Sequence, residues 1–195
     1  GGGARPAGAR SYPPPRRDRS HGRGGNHALG SSAIDGDNYY MNDTRPGAYW
    51  WQLASGTPGP ALVDAIERMR QDIANLGPGT TKVSMVWSIG ETDAEMLRRG
   101  LSDTARFKDG MVATFRHIEQ QLGVDIDFYL IQTGRFQPPE GEDPAHYISK
   151  TLAHEAIQQA QAELAAEHAD IHLAAVTKHL EMDDSLHYTL DSSEI

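Results

Sequence analysis

Apolar positions recur along this chain with a helical period in three stretches, and short continuous apolar runs lie between them. Leu62, Ile66, Met69, Ile73 and Leu76 fall at spacings of 4, 3, 4 and 3, one face of an α-helix. Thr57-Pro58 reads as its start, Thr as N-cap and Pro in the first turn, and Gly77-Pro78 ends it. A second helix is predicted from about Ser102 to Leu122, with Phe107, Met111, Phe115, Ile118 and Leu122 on one face. A third runs from the Asp143-Pro144 cap to about His168 and carries Ile148, Leu152, Ile157 and Leu164. Lys82 to Ser88, Ile126 to Thr133 and Ile171 to Val176 are too short for helices and read as buried strands. Strands alternating with helices of this length predict an α/β fold with a mainly parallel central sheet. In such sheets, sites form at the C-terminal ends of the strands.

The remainder divides the chain. Residues 1–25 hold seven Gly, four Pro and almost nothing apolar, a composition that cannot bury enough surface to offset chain entropy. They are read as a disordered basic arm, and residues 26–195 as the folded domain. The arm's six Arg and one Asp give it a formal +5, so the other 170 residues carry −14 of the net −9. An acidic body lacks the clustered Lys and Arg that phosphate neutralisation requires, so no nucleic-acid partner is expected. No apolar run reaches the roughly 18 residues that span a bilayer, and no membrane association is expected. With no cysteine there is neither a disulfide framework nor thiolate chemistry, and the compartment is left undetermined.

Candidate chemistry gathers in a few places. Asp184 and His187 lie three residues apart beyond the last strand, a spacing that suits a general base and the carboxylate that orients it. Ile89 to Asp93 directly follows the first strand of the parallel set. Trp50 and Trp51 sit in a polar segment with Tyr39, Tyr40 and Tyr49, where exposed rings stack on sugar faces or plug the loop into the core. Arg135 follows a strand end and is placed to meet a substrate carboxylate or hydroxyls. His154-Glu155 does not continue to H-E-x-x-H, because Gln158 stands where the second His belongs, and no metal or other cofactor is expected.

Trp87-Ser88-Ile89-Gly90-Glu91-Thr92-Asp93 resembles the W-x-Q-G-E-[ST]-D block of the SGNH (GDSL-like) hydrolase superfamily, in its sialate O-acetylesterase and acetylxylan esterase-like branch. Asp184-Ser185-Leu186-His187 resembles that family's terminal D-x-x-H block, and Asn26 to Ser32 its N-x-A-x-G-[GS]-[ST] loop. The resemblance implies a flavodoxin-like three-layer α/β/α sandwich, incomplete at both ends of this chain, and a serine esterase that removes O-acetyl groups from carbohydrate. It implies His187 as base, Asp184 as its orienter, Gly30 and Ser31 in the oxyanion loop, and Glu91 as a site-organising acid. Trp50, Trp51 and Arg135 are the candidate substrate contacts.

Two departures qualify the pattern. No G-D-S-L or G-Q-S-N loop occurs, so the nucleophile is expected upstream of this sequence or in another chain, with Ser31 or Ser32 as the alternative. Ile89 stands where the family has Gln and cannot donate a hydrogen bond; losing such a donor typically costs about a hundred- to a thousandfold in rate. The rival expectation is a non-catalytic glycan-binding or assembly module on the same scaffold.

Overall fold

The computed structural model describes residues 33–38, 48–76, 83–184 and 189. The elements, in chain order, are β1 (Ala33–Asp35), β2 (Tyr49–Gln52), β3 (Thr57–Pro58), α1 (Pro60–Leu76), β4 (Val83–Trp87), α2 (Glu91–Arg98), α3 (Thr104–Leu122), β5 (Ile126–Ile131), α4 (Pro144–Glu167) and β6 (Ile171–Ala175). The fold is mixed α/β and contains two three-stranded sheets. In the first, β2 pairs parallel with β1 and antiparallel with β3. The second, β4-β5-β6, is parallel throughout, with Trp87 opposite Leu130 and Phe128 opposite Ile171.

Local chemistry sets the helix ends. Asp103 accepts the Arg106 amide at 2.8 Å to open α3, and Gly123, at φ 67°, closes it in the left-handed conformation that glycine adopts without a Cβ penalty. Asp143 opens α4 by accepting the Ala145 amide, with Pro144 in the first turn. Helix α1 begins two residues later than a Thr57 cap implies. Thr57 and Pro58 instead form β3 against Trp51 and Gln52, so tertiary pairing overrides the cap signal.

One apolar cluster joins both sheets. A run of rings passes through it: Trp50 meets Trp87 edge-on at 4.5 Å, Trp87 meets Phe115 at 5.2 Å, and Phe115 stacks on Phe128 at 3.9 Å. Phe115 lies on α3, which therefore bridges the two sheets. The parallel sheet packs one face only. Trp87, Phe128 and Leu130 are buried, whereas Val86, on the opposite face of β4, is 64 % exposed. The reading of Lys82 to Ser88 as a buried strand is corrected accordingly. On α4 the inward stripe is Ala153, Ile157, Ala160 and Leu164; Ile148 and Leu152, assigned to that face from the sequence, point outward.

Helix α3 reaches β1 through a missing side chain. A Cβ on Gly110 would lie 2.4 Å from Ile34 Cγ2, an atom held on a fully buried, branched side chain. Alanine in an open helix site stabilises by up to about 1 kcal/mol relative to glycine. Here the overpacking outweighs that gain, and Gly110→Ala is expected to lower stability by about 1–3 kcal/mol in denaturant unfolding. A variant as stable as the wild type would show that Ile34 can step aside.

Candidate functional site

Because β4, β5 and β6 run parallel, the segments that leave them emerge at one rim. Ser88 to Glu91 follow β4, Gln132 to Phe136 follow β5, and Val176 onward follow β6. Polar side chains of α4 bind these segments together. Gln161, fully buried, accepts the Thr133 amide at 2.8 Å and donates to the Ile89 carbonyl at 3.0 Å. Thr133 Oγ1 donates to the same carbonyl at 3.1 Å, and Thr177 Oγ1 donates to the Gln132 carbonyl at 3.0 Å. Gly90, at φ 147°, allows this closeness, since a Cβ there would sit 2.0 Å from Thr133 Oγ1.

Further along α4, Gln158 Nε2 donates to the carbonyls of Thr133 and Gly134 at 2.9 and 3.2 Å. His154, 6 % exposed, is joined to the Gly134 carbonyl through Nδ1 at 2.9 Å. A carbonyl only accepts, so Nδ1 carries the proton and Nε2 keeps its lone pair. Between α4 and the loop after β5 lies a cavity of about 300 Å³, lined among others by Arg135, Phe136, Tyr147, His154, Gln158 and Lys178.

A second polar centre fastens α2 and α3 to β1. Asp93, in the first turn of α2, accepts the Ile34 amide at 2.9 Å, and its other oxygen has no partner among the described residues. Burial pushes the Asp93 carboxyl up to about 8, against the opposing pull of the Ile34 N–H. Arg106 donates to the fully buried Asp35 at 2.7 Å and to Asp37 at 2.6 Å. These bonds hold its guanidinium above its usual value, Asp35 contributing most.

The residues singled out from the sequence fall unevenly across this architecture. Glu91 is the first residue of α2, half-buried at the rim, with no hydrogen-bond partner among the described residues. Asp184 is exposed in the segment beyond β6, whose base is closed by a bond from the Thr189 amide to the Glu181 carbonyl at 3.0 Å. Arg135 is exposed at the mouth of the cavity. Gly30, Ser31 and His187 lie outside the described residues. Trp50 is corrected: at 7 % exposed and packed on Trp87 it is a core ring with no face left for a sugar. Trp51 is half-buried and tilts against His117 at 5.4 Å.

Sequence reasoning passed over Gln158, Gln161 and the role of His154, which had been weighed only as a metal ligand. The signal was available: 154, 158 and 161 recur at spacings of 4 and 3, a polar stripe beside the apolar one. Among the described residues no group of three or more His, Asp or Glu gathers to hold a metal, and no helix is long and apolar enough to cross a membrane.

The Asp93 carboxyl holds its proton more tightly in the folded chain than in the unfolded one, where it titrates near its usual 3.8. Between these values the folded state binds more protons, so this group's contribution makes unfolding free energy fall as pH rises, by on the order of 1 kcal/mol per unit at most. Asp93→Asn keeps an oxygen for the Ile34 N–H and cannot ionise. It is expected to flatten that slope in denaturant midpoints followed from pH 5 to beyond 8. An unchanged slope would place the titration on another group.

In comparisons with known proteins, no family model, no curated protein and no solved structure matches this chain.

Proposed function

We propose that this chain is a serine ester hydrolase acting on O-acetylated carbohydrate, with the β4-β5-β6 sheet as the centre of its α/β fold. One observation carries the reading: the segment resembling the hydrolase block and the Asp184 segment leave a parallel sheet at the same rim, on either side of the loop that borders the cavity.

In this mechanism a serine Oγ attacks the acetyl carbonyl while His187 Nε2 takes its proton. Asp184 accepts the imidazole Nδ1–H and stabilises the imidazolium that forms. Backbone N–H groups of the Gly30-Ser31 turn hold the oxyanion. The tetrahedral species collapses as His187 returns the proton to the departing sugar hydroxyl, leaving an acetyl-serine. Water, deprotonated by the same histidine, then releases acetate and restores the hydroxyl. Glu91 orders the turn at the end of β4.

A second reading, a glycan-binding module without turnover, is favoured by Ile89. That side chain packs against the apolar cluster and supplies no donor to an oxyanion, so position 89 lacks the amide that the hydrolase block carries there.

A fluorophosphonate probe followed by peptide mapping separates the two. The hydrolase reading expects one labelled serine and acetate release from acetylated xylan or acetylated sialosides, with His187→Ala reducing release by about a thousandfold or more. Binding of those glycans with neither labelling nor acetate would leave the module.

A further inference from the structure

We propose that the cavity between α4 and the loop after β5 binds a small hydroxycarboxylate, a compound that joins a carboxylate to hydroxyl groups on a ring or short chain. The inference stands on the cavity alone and holds whether or not the chain hydrolyses an ester.

Charge is the first argument. Acids outnumber Lys and Arg by 27 to 18 in this sequence, and other cations of the fold are paired: Lys150 with Glu142, Lys108 with Glu163 and Glu167, Arg116 with Asp170. Arg135 and Lys178 come from two different strand ends, both line the cavity, and both are exposed. Neither has an ion-pair partner among the described residues. Glu155, exposed on the same lining, offsets one of these charges, which leaves a net +1 at the opening: a forked donor and a point charge for a single carboxylate.

The inner wall carries the opposite polarity. His154 has committed its Nδ1–H to Gly134, which leaves Nε2 as an acceptor. Gln158 has spent its amide hydrogens on two carbonyls, so its Oε1 is what remains for a ligand. Thr151 Oγ1, buried on the same lining without a partner among the described residues, adds one hydroxyl that donates or accepts. Acceptors therefore outnumber donors on this wall, and a ligand that donates hydroxyl hydrogens matches it better than a plain inorganic anion. Phe136, itself buried, and the Tyr147 ring 6.2 Å from it add apolar atoms to the lining. About 300 Å³ is the low end of ligand-pocket volumes, sized for a single small molecule.

The test is calorimetric titration of the full chain with gluconate, galacturonate and quinate, with galactose, acetate and inorganic phosphate as controls. The proposal expects at least one hydroxy acid to bind in the millimolar range or tighter. Each control, lacking either the charge or the hydroxyls, should bind at least about tenfold more weakly. Arg135→Gln and Lys178→Gln should each weaken the hydroxy acid by about tenfold while leaving the thermal midpoint in place, since both side chains are exposed and unpaired. Galactose binding as tightly as galacturonate would make this a neutral-sugar cavity and overturn the proposal. Phosphate or acetate binding as tightly as the hydroxy acids, retention of affinity in both variants, or no binding by any of the three hydroxy acids would overturn it equally.

Discussion

The rim of the parallel sheet depends on one buried amide. Gln161 has no exposed surface, and it uses its oxygen on the Thr133 amide and its nitrogen on the Ile89 carbonyl. Without it the Thr133 amide would be buried and unsatisfied, at about 1–3 kcal/mol, and the Ile89 carbonyl would keep Thr133 Oγ1 alone. Because α4 carries this residue, the separation between β4's exit and β5's exit is fixed by a helix rather than left to the loops. The close approach of Gly90 to Thr133, and with it the entry angle of α2, follows from that separation. A polar group in a core is costly unless fully paired, and full pairing is what makes it specify a single geometry.

The Trp87–Asp93 segment acquires a physical meaning from these contacts. The Ile89 carbonyl receives two donors, Gly90 lies against Thr133, and Asp93 holds the Ile34 amide, so three of its last five positions are fastening points to three different elements. A chain can therefore keep this pattern for the sake of its scaffold alone. Glu91 is the ionisable member of the block whose side chain makes no hydrogen bond among the described residues, and it is half-buried at the first residue of α2. The segment's likeness to a hydrolase block thus speaks first for how the sheet, α2 and β1 are joined, and only through Glu91 for chemistry.

The parts of the fold that were legible in the sequence are those where burial is periodic. Strands β4, β5 and β6 and helices α1, α3 and α4 stand where apolar spacing places them, with ends shifted by at most two residues. Strands β1, β2 and β3 were not legible. Ala33-Ile34-Asp35 buries an acid, which no apolar alternation announces, and its partner for that acid, Arg106, lies 71 residues away. Helix α2 has only eight residues, and its first turn doubles as the fastening segment, so its residues read as a loop. Trp50 shows the same limit from the other side. A ring in a polar, glycine-punctuated stretch looks available, but it lies 4.5 Å from a ring 37 residues further on, and sequence proximity says nothing about that. For α4, the apolar stripe was shifted by about one position because Ala153 and Ala160 bury well without signalling strongly.

The chemical capacity of the rim consequently lies on α4 more than on the strand-end segment that drew attention first. At Ile89 the carbonyl already has two donors and the side chain packs on the core, so neither of these groups is left for a ligand. Three residues of α4 instead face the strand ends, and they differ in what they have left over. Gln161 uses both ends of its amide and is purely a brace. Gln158 retains an oxygen, and His154 retains the basic nitrogen of an imidazole whose tautomer is set by a backbone carbonyl. A histidine fixed in this way does not have to choose between protonation states to be oriented, since its partner holds the ring from behind. The same stripe that braces the sheet therefore grades from structural to available toward the N-terminal end of α4, and the unpaired cations Arg135 and Lys178 stand at that end.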